Sequence, residues 1–111
     1  MDWQKVFRNS FPVLLVILQN SHKKELVTTL LNNFVIYTLS NVVHNILLSN
    51  IRLSQQEKNK LKSFRGSLFD LVKKNKSLQF KANLLIKNTS LLKLLVSLSV
   101  QILSELLKHD G

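Results

Sequence analysis

Six side chains between Lys58 and Lys76 share a spacing that could do chemistry. Lys58, Lys62, Arg65, Phe69, Lys73 and Lys76 are 4, 3, 4, 4 and 3 residues apart. On a helix that spacing sets them in one stripe. Like charges this close repel one another unless an anion covers them. The chemistry on offer is phosphate neutralisation. Lys81 and Lys87 extend the charge downstream, and Lys93 follows. Lys58, Lys62, Arg65, Lys73, Lys76 and Lys81 are therefore the candidate nucleic-acid-binding residues. If about five of them meet duplex phosphates, log K against log salt falls with a slope of roughly −4 to −5. A solvated lysine-rich face is the ordinary explanation of the same pattern. Phe69 either stacks on a base or lies on the core edge, and the core edge is the expectation.

Other chemistry finds no support in the residue pattern. Two glycines are too few for a phosphate-binding glycine loop. Glu57 and Asp70 lie far apart along the chain and form no evident acid/base pair. Spacing does not exclude a Ser–His–Asp set, but nothing singles one out. The chain has no cysteine, and His22, His44 and His109 are widely separated, so a spaced Cys/His zinc site is excluded. No enzyme activity, no metal and no cofactor is expected. His44, on a Val- and Ile-rich segment near Tyr37, reads as a hydrogen-bonded core or boundary histidine.

The placement of charge sharpens the choice of partner. The 111 residues carry a formal net charge of +10. Arg52 to Lys93 holds eleven bases against two acids, nearly the whole of that excess. Such a block suits a polyanion: nucleic acid or an anionic membrane surface. Thirteen of the sixteen bases are lysine. Lysine is a point charge where arginine is a bidentate fork, so backbone neutralisation is favoured over base reading. Lys5, Arg8 and the apolar run Phe11–Leu18 faintly resemble a signal peptide. The run is short, begins Phe11-Pro12 and lacks a small-residue cleavage pattern, so secretion is not expected. No segment offers some 18 uninterrupted apolar residues for a spanning helix.

The elements that must position these groups are helical. An apolar fraction of 45% fits a globular chain, and two glycines with one proline are too little turn chemistry for a many-stranded β fold. Asp2 can cap a helix through Asn9, and Ser10 the next, with Pro12 in its first turn. A third runs His22–Leu31. The fourth, about Phe34–Leu48, gathers Val35, Leu39, Val42, Val43 and Ile46 on one face. Ser49–Leu53 is the clearest linker. Ser54-Gln55-Gln56-Glu57 is a capping box, the strongest local signal in the chain. The helix it opens is expected to reach Lys74, with core positions Leu61, Phe64, Leu68, Leu71 and Val72. Gly66 inside it costs about 1 kcal/mol relative to Ala. Ser77 caps a shorter helix to Lys87, and Leu91–Lys108 is the last. The fold class is all-α: one domain over residues 1–111, a small bundle of five or six short helices. It comprises an apolar part (13–53), a basic part (54–93) and an amphipathic C-terminal helix (91–108).

The C-terminal helix has a narrow polar arc of Lys93, Ser97, Gln101, Ser104, Glu105 and Lys108. An apolar face this wide packs in a core or an oligomer interface. Phe11, Leu14, Leu95, Leu98, Ile102 and Leu106 are the candidate interface residues, with self-association as a homo-oligomer or capsid docking as the consequence. Trp3, Phe7 and Phe11 form a second stripe. A membrane-surface helix is the minority reading, since the polar arc has few charges and no aromatic faces it.

One stretch also looks familiar. Val43-His44-Asn45-Ile46-Leu47-Leu48-Ser49-Asn50-Ile51-Arg52-Leu53-Ser54 is similar to a recurrent pattern in small basic proteins of adenovirus-like and Maverick/Polinton-type mobile elements. The resemblance continues through Gln56–Lys62, Leu71–Leu78 and Lys81–Leu85, and spans about Val13 to Leu107 through short motifs. Ser49 stands where the pattern usually has glycine and Arg52 where it has proline. Lys87-Asn88-Thr89-Ser90 replaces a Gly-Gly. The resemblance implies a minor virion or core protein, in the virion or in the host nucleus or cytoplasm.

Three functional expectations follow. The first is a non-enzymatic virion or core-type protein that binds nucleic-acid phosphates without sequence preference. The second is an assembly protein that uses its apolar faces. The third is a membrane-active helical protein.

Overall fold

A computed structural model describes residues 3–49 and 51–110, with side chains over 8–49 and 51–105. Among the described residues there are seven helices and no strand. They are α1 (Trp3–Gln19), α2 (Lys24–Leu30), α3 (Asn33–Leu47), α4 (Gln55–Lys62), α5 (Arg65–Val72), α6 (Leu78–Lys87) and α7 (Thr89–Asp110). The all-α class holds. The count of five or six is corrected to seven, and two expected boundaries move, by one fusion and one break.

The fusion is at the N-terminus. Ser10 was expected to start a second helix, yet α1 runs through Pro12 without interruption. Proline inside a helix costs about 3 kcal/mol. Leu14 and Ile17, both fully buried, contribute about 1.5–3 kcal/mol each and offset it. Ser10 is itself buried, and its hydroxyl shares a 2.9 Å hydrogen bond with that of Thr38 on α3. It ties two helices together instead of capping one.

The break falls in the basic segment. The single helix expected from Ser54 to Lys74 is two, α4 and α5, parted at Ser63 and Phe64. Phe64 leaves helical geometry at φ −109°, ψ 16°. The Ser63 hydroxyl donates to the Lys60 carbonyl at 2.7 Å and the Phe64 N–H to the Leu61 carbonyl at 3.0 Å. These bonds close the last turn of α4 in a tightened form and end it. The gain is burial: Leu61 on α4 and Leu68 and Leu71 on α5 all reach the core.

Side-chain caps set several other boundaries. The Asn32 side chain accepts from the Val35 N–H at 3.0 Å and opens α3. The capping box forms in full: Ser54 Oγ accepts from the Glu57 N–H at 3.1 Å, and Glu57 Oε1 from the Ser54 N–H at 2.9 Å. Ser77 Oγ accepts from the Phe80 N–H at 3.0 Å and opens α6. Asn88 Nδ2 donates to the Leu84 carbonyl at 2.8 Å where α6 gives way to α7. After α3, Ser49 takes a left-handed conformation with φ 61°. That is the position where helices usually end on glycine.

The core lies along α7, which packs on α1, α3 and α6. Leu91, Leu92, Leu95 and Val96 meet Leu14 and Ile17 of α1, Val35, Ile36, Leu39 and Val43 of α3, and Leu85 of α6 in one cluster. Ser99 sits in it with its hydroxyl donated to the Leu95 carbonyl at 2.7 Å, so no polar group is stranded there. Leu14, Leu95 and Leu98, expected at an oligomer interface, are buried within the chain itself. The α1–α7 packing already covers the face they share. Phe11 is half-buried against the same core, and Ile102 is half-buried too. The side chains of Trp3, Phe7, Leu106, Lys108 and His109, and Met1 and Asp2, lie outside the described residues.

Candidate nucleic-acid interface

The break between α4 and α5 decides what becomes of the basic stripe. A continuous helix would run Lys58, Lys62, Arg65, Phe69, Lys73 and Lys76 in line. The structure divides them among α4, α5 and the turn that follows. Lys58, Lys62 and Arg65 stay together. They line one cleft of about 550 Å³ with Arg52 from the segment before α4. Ile46, Leu47, Ile51, Leu53, Leu61 and Leu68 also line it. The cleft thus joins four cations to an apolar wall, and no acidic side chain lines it among the described residues.

Three further stripe residues have local neighbours. The Arg65 guanidinium lies over the Phe69 ring at 5.8 Å from its centroid. Lys76 lies over the Phe80 ring at 4.7 Å. Lys73 pairs with Asp70 at 3.1 Å, an exposed contact between neighbouring turns. Exposed pairs of this kind are worth at most about 1 kcal/mol, so Lys73 is held loosely. Phe69 is 43% exposed, and its expected place on the core edge is corrected. With Phe64 and Leu68 turned toward the core, Phe69 is left on the outer side of α5 beneath Arg65. Cations poised over aromatic faces keep their charge available to an anion.

Lys81 does not belong to this surface. It is 8% exposed, with its side chain between α3 and α6. It was selected for its charge downstream of the stripe, but α6 turns it toward α3.

Arg52 was not selected from the sequence. It lies in a linker, where no periodicity marks it, and only the folding of that linker against α4 brings it beside Lys58. Another cleft, of about 460 Å³, is lined by Lys60 and Lys93, with Ser63, Ser90 and Ser97. Lys60 therefore faces α7, away from the Arg52 cleft.

Among the described residues no group of three or more His, Asp or Glu side chains is placed to hold a metal ion. No single helix is long and apolar enough to cross a membrane. Two bent pairs, α2 with α3 at 88° and α6 with the 89–105 part of α7 at 108°, reach that length and composition only when joined. Comparison with protein-family models, with curated proteins and with solved structures finds no match for this chain.

Proposed function

We propose that this chain is a non-enzymatic polyanion-binding protein that engages nucleic-acid phosphates through the cluster Arg52, Lys58, Lys62 and Arg65. The observation that carries this reading is the cleft those four residues line, with no acidic side chain in its lining among the described residues. Four cations drawn from a linker and two helices set a concentrated positive potential at one place. A chain of phosphates lowers the repulsion among them and releases its own counterions. Lys73 and Lys76 lie further along the same segment and extend the contact. The setting suggested by the resemblance is the virion or genome core of a virus-like element, and it rests on the Val43–Ser54 and downstream motifs.

Retention of duplex DNA by the purified protein, measured across a salt series, tests this reading. Four phosphate contacts give a slope of log K against log salt of roughly −3 to −4. Charge reversal at Lys58, Lys62 and Arg65 together abolishes binding at moderate salt. Binding that survives this triple change, or that does not weaken with salt, overturns the proposal.

The assembly reading has less to stand on, since the fold itself covers Leu14, Leu95 and Leu98. A membrane-active reading would need the apolar face of α7 free for lipid, and that face packs in the core through Leu91, Leu92, Leu95 and Val96.

A further inference from the structure

A separate cleft of about 280 Å³ opens between α3 and the segment from Val72 to Lys81. Tyr37, Ser40, Asn41 and His44 line it from α3. Their spacing of 3, 1 and 3 puts four polar side chains on one helical face. Val72, Lys74, Leu78 and Lys81 line the opposite wall. Among the described residues, two lysines and no carboxylate face this space.

Two polar groups here are left without a partner inside the chain. Lys81 is 8% exposed as a residue, and its ammonium ends at the solvent of the cleft with no hydrogen bond, ion pair or ring contact among the described residues. The Ser40 hydroxyl is buried with no hydrogen-bond partner. A buried hydroxyl normally finds a partner, because leaving water without replacement is unfavourable, and a lysine whose stem is packed carries its charge to the rim of the cavity it lines. These two line the same cavity and do not satisfy one another. The Asn41 amide nitrogen is already engaged, donating to the Tyr37 carbonyl at 3.1 Å.

We infer that this cleft is a binding site for a phosphomonoester-type dianion, held by Lys81, Lys74 and the Ser40 hydroxyl. One tetrahedral oxyanion presents acceptors in several directions, so it can take bonds from both walls at once. Two ammonium groups without a counter-charge favour a doubly charged ligand over a carboxylate or a backbone diester. The volume suits a phosphate and the first atoms of its ester. The site shares no residue with the Arg52 cleft, so either assignment can fail without the other.

The test is calorimetric titration of the full chain at constant ionic strength. Methyl phosphate, inorganic phosphate, dimethyl phosphate and acetate serve as separate probes. Saturable one-to-one binding of the first two is expected, with dimethyl phosphate and acetate weaker by about tenfold or more. Lys81→Met is expected to lower methyl phosphate affinity by about tenfold or more, and Ser40→Ala by a smaller factor. Lys24→Ala, on α2 and lining neither cleft, leaves it unchanged. If Lys81→Met does not fold, Ser40→Ala and Lys74→Gln decide the matter. The absence of saturation by methyl phosphate overturns the inference. So does equal affinity for the monoester and the diester, or affinity untouched by the changes at Lys81, Ser40 and Lys74.

Discussion

Ser10 Oγ and Thr38 Oγ1 lie 2.9 Å apart with both residues buried, so α1 and α3 are joined by a hydroxyl pair inside an otherwise aliphatic contact. Such a pair fixes the register of the two helices more than it adds stability, since its net worth is about 1 kcal/mol. A double-mutant cycle with Ser10→Ala and Thr38→Val is expected to give a coupling energy of about 1 kcal/mol by urea denaturation. The double variant should therefore be more stable than the two single losses imply. Simple additivity would show that the bond contributes nothing.

Ser49 follows α3 in a left-handed conformation, with φ 61°. A side chain there is strained where glycine is not. Ser49→Gly relieves that strain but loosens the unfolded chain. The expected net gain is about 0.5 kcal/mol, read as a higher denaturation midpoint with an unchanged slope.

Gly66 stands in the first turn of α5, and a Cβ added there would meet nothing within 4 Å. Gly66→Ala is expected to stabilise the protein by about 0.5–1 kcal/mol through helix propensity alone. The phosphate binding proposed for the neighbouring Arg65 should be unaffected. A loss of stability would mean that the α4–α5 junction needs the freedom of glycine.

Leu95 is fully buried in the main cluster. Leu95→Ala is expected to cost about 3 kcal/mol or more, the usual penalty of an aliphatic cavity. The cost should be the same at any protein concentration, because Leu95 supports the fold of a single chain. A concentration-dependent loss, followed by sedimentation, would return this residue to an interface between chains.

Local signals were legible in the sequence and long-range ones were not. The Ser54–Glu57 capping box and the Ser77 cap form as read, because both partners of each bond lie within one turn. Val35, Leu39, Val42 and Val43 fall on the buried face of α3, as their spacing indicated. Pro12 and Ser10 misled, because burial of Leu14 and Ile17 outweighs the local preference for a new start. The end of α4 at Ser63 also escaped, since Gly66 drew attention to a point three residues too late. That one break accounts for most of what changed at the site. It parts Lys58 and Lys62 from Lys73 and Lys76, and no helical projection of a continuous segment could reproduce it. The polar row Tyr37, Ser40, Asn41 and His44 did have a signal, its helical spacing. The apolar row on the same helix was the louder one.

The crowding of Arg52, Lys58, Lys62 and Arg65 around one cleft has a consequence for how the protein behaves in different buffers. Added salt screens the mutual repulsion of those four groups and so firms the unliganded fold. On the proposed function, the same ions displace it from a polyanion. Folding and binding therefore answer to ionic strength with opposite sign. The free protein is weakest where it grips hardest, so a nucleic-acid partner would act as its natural stabiliser in dilute buffer, a role that salt takes over once the two have come apart.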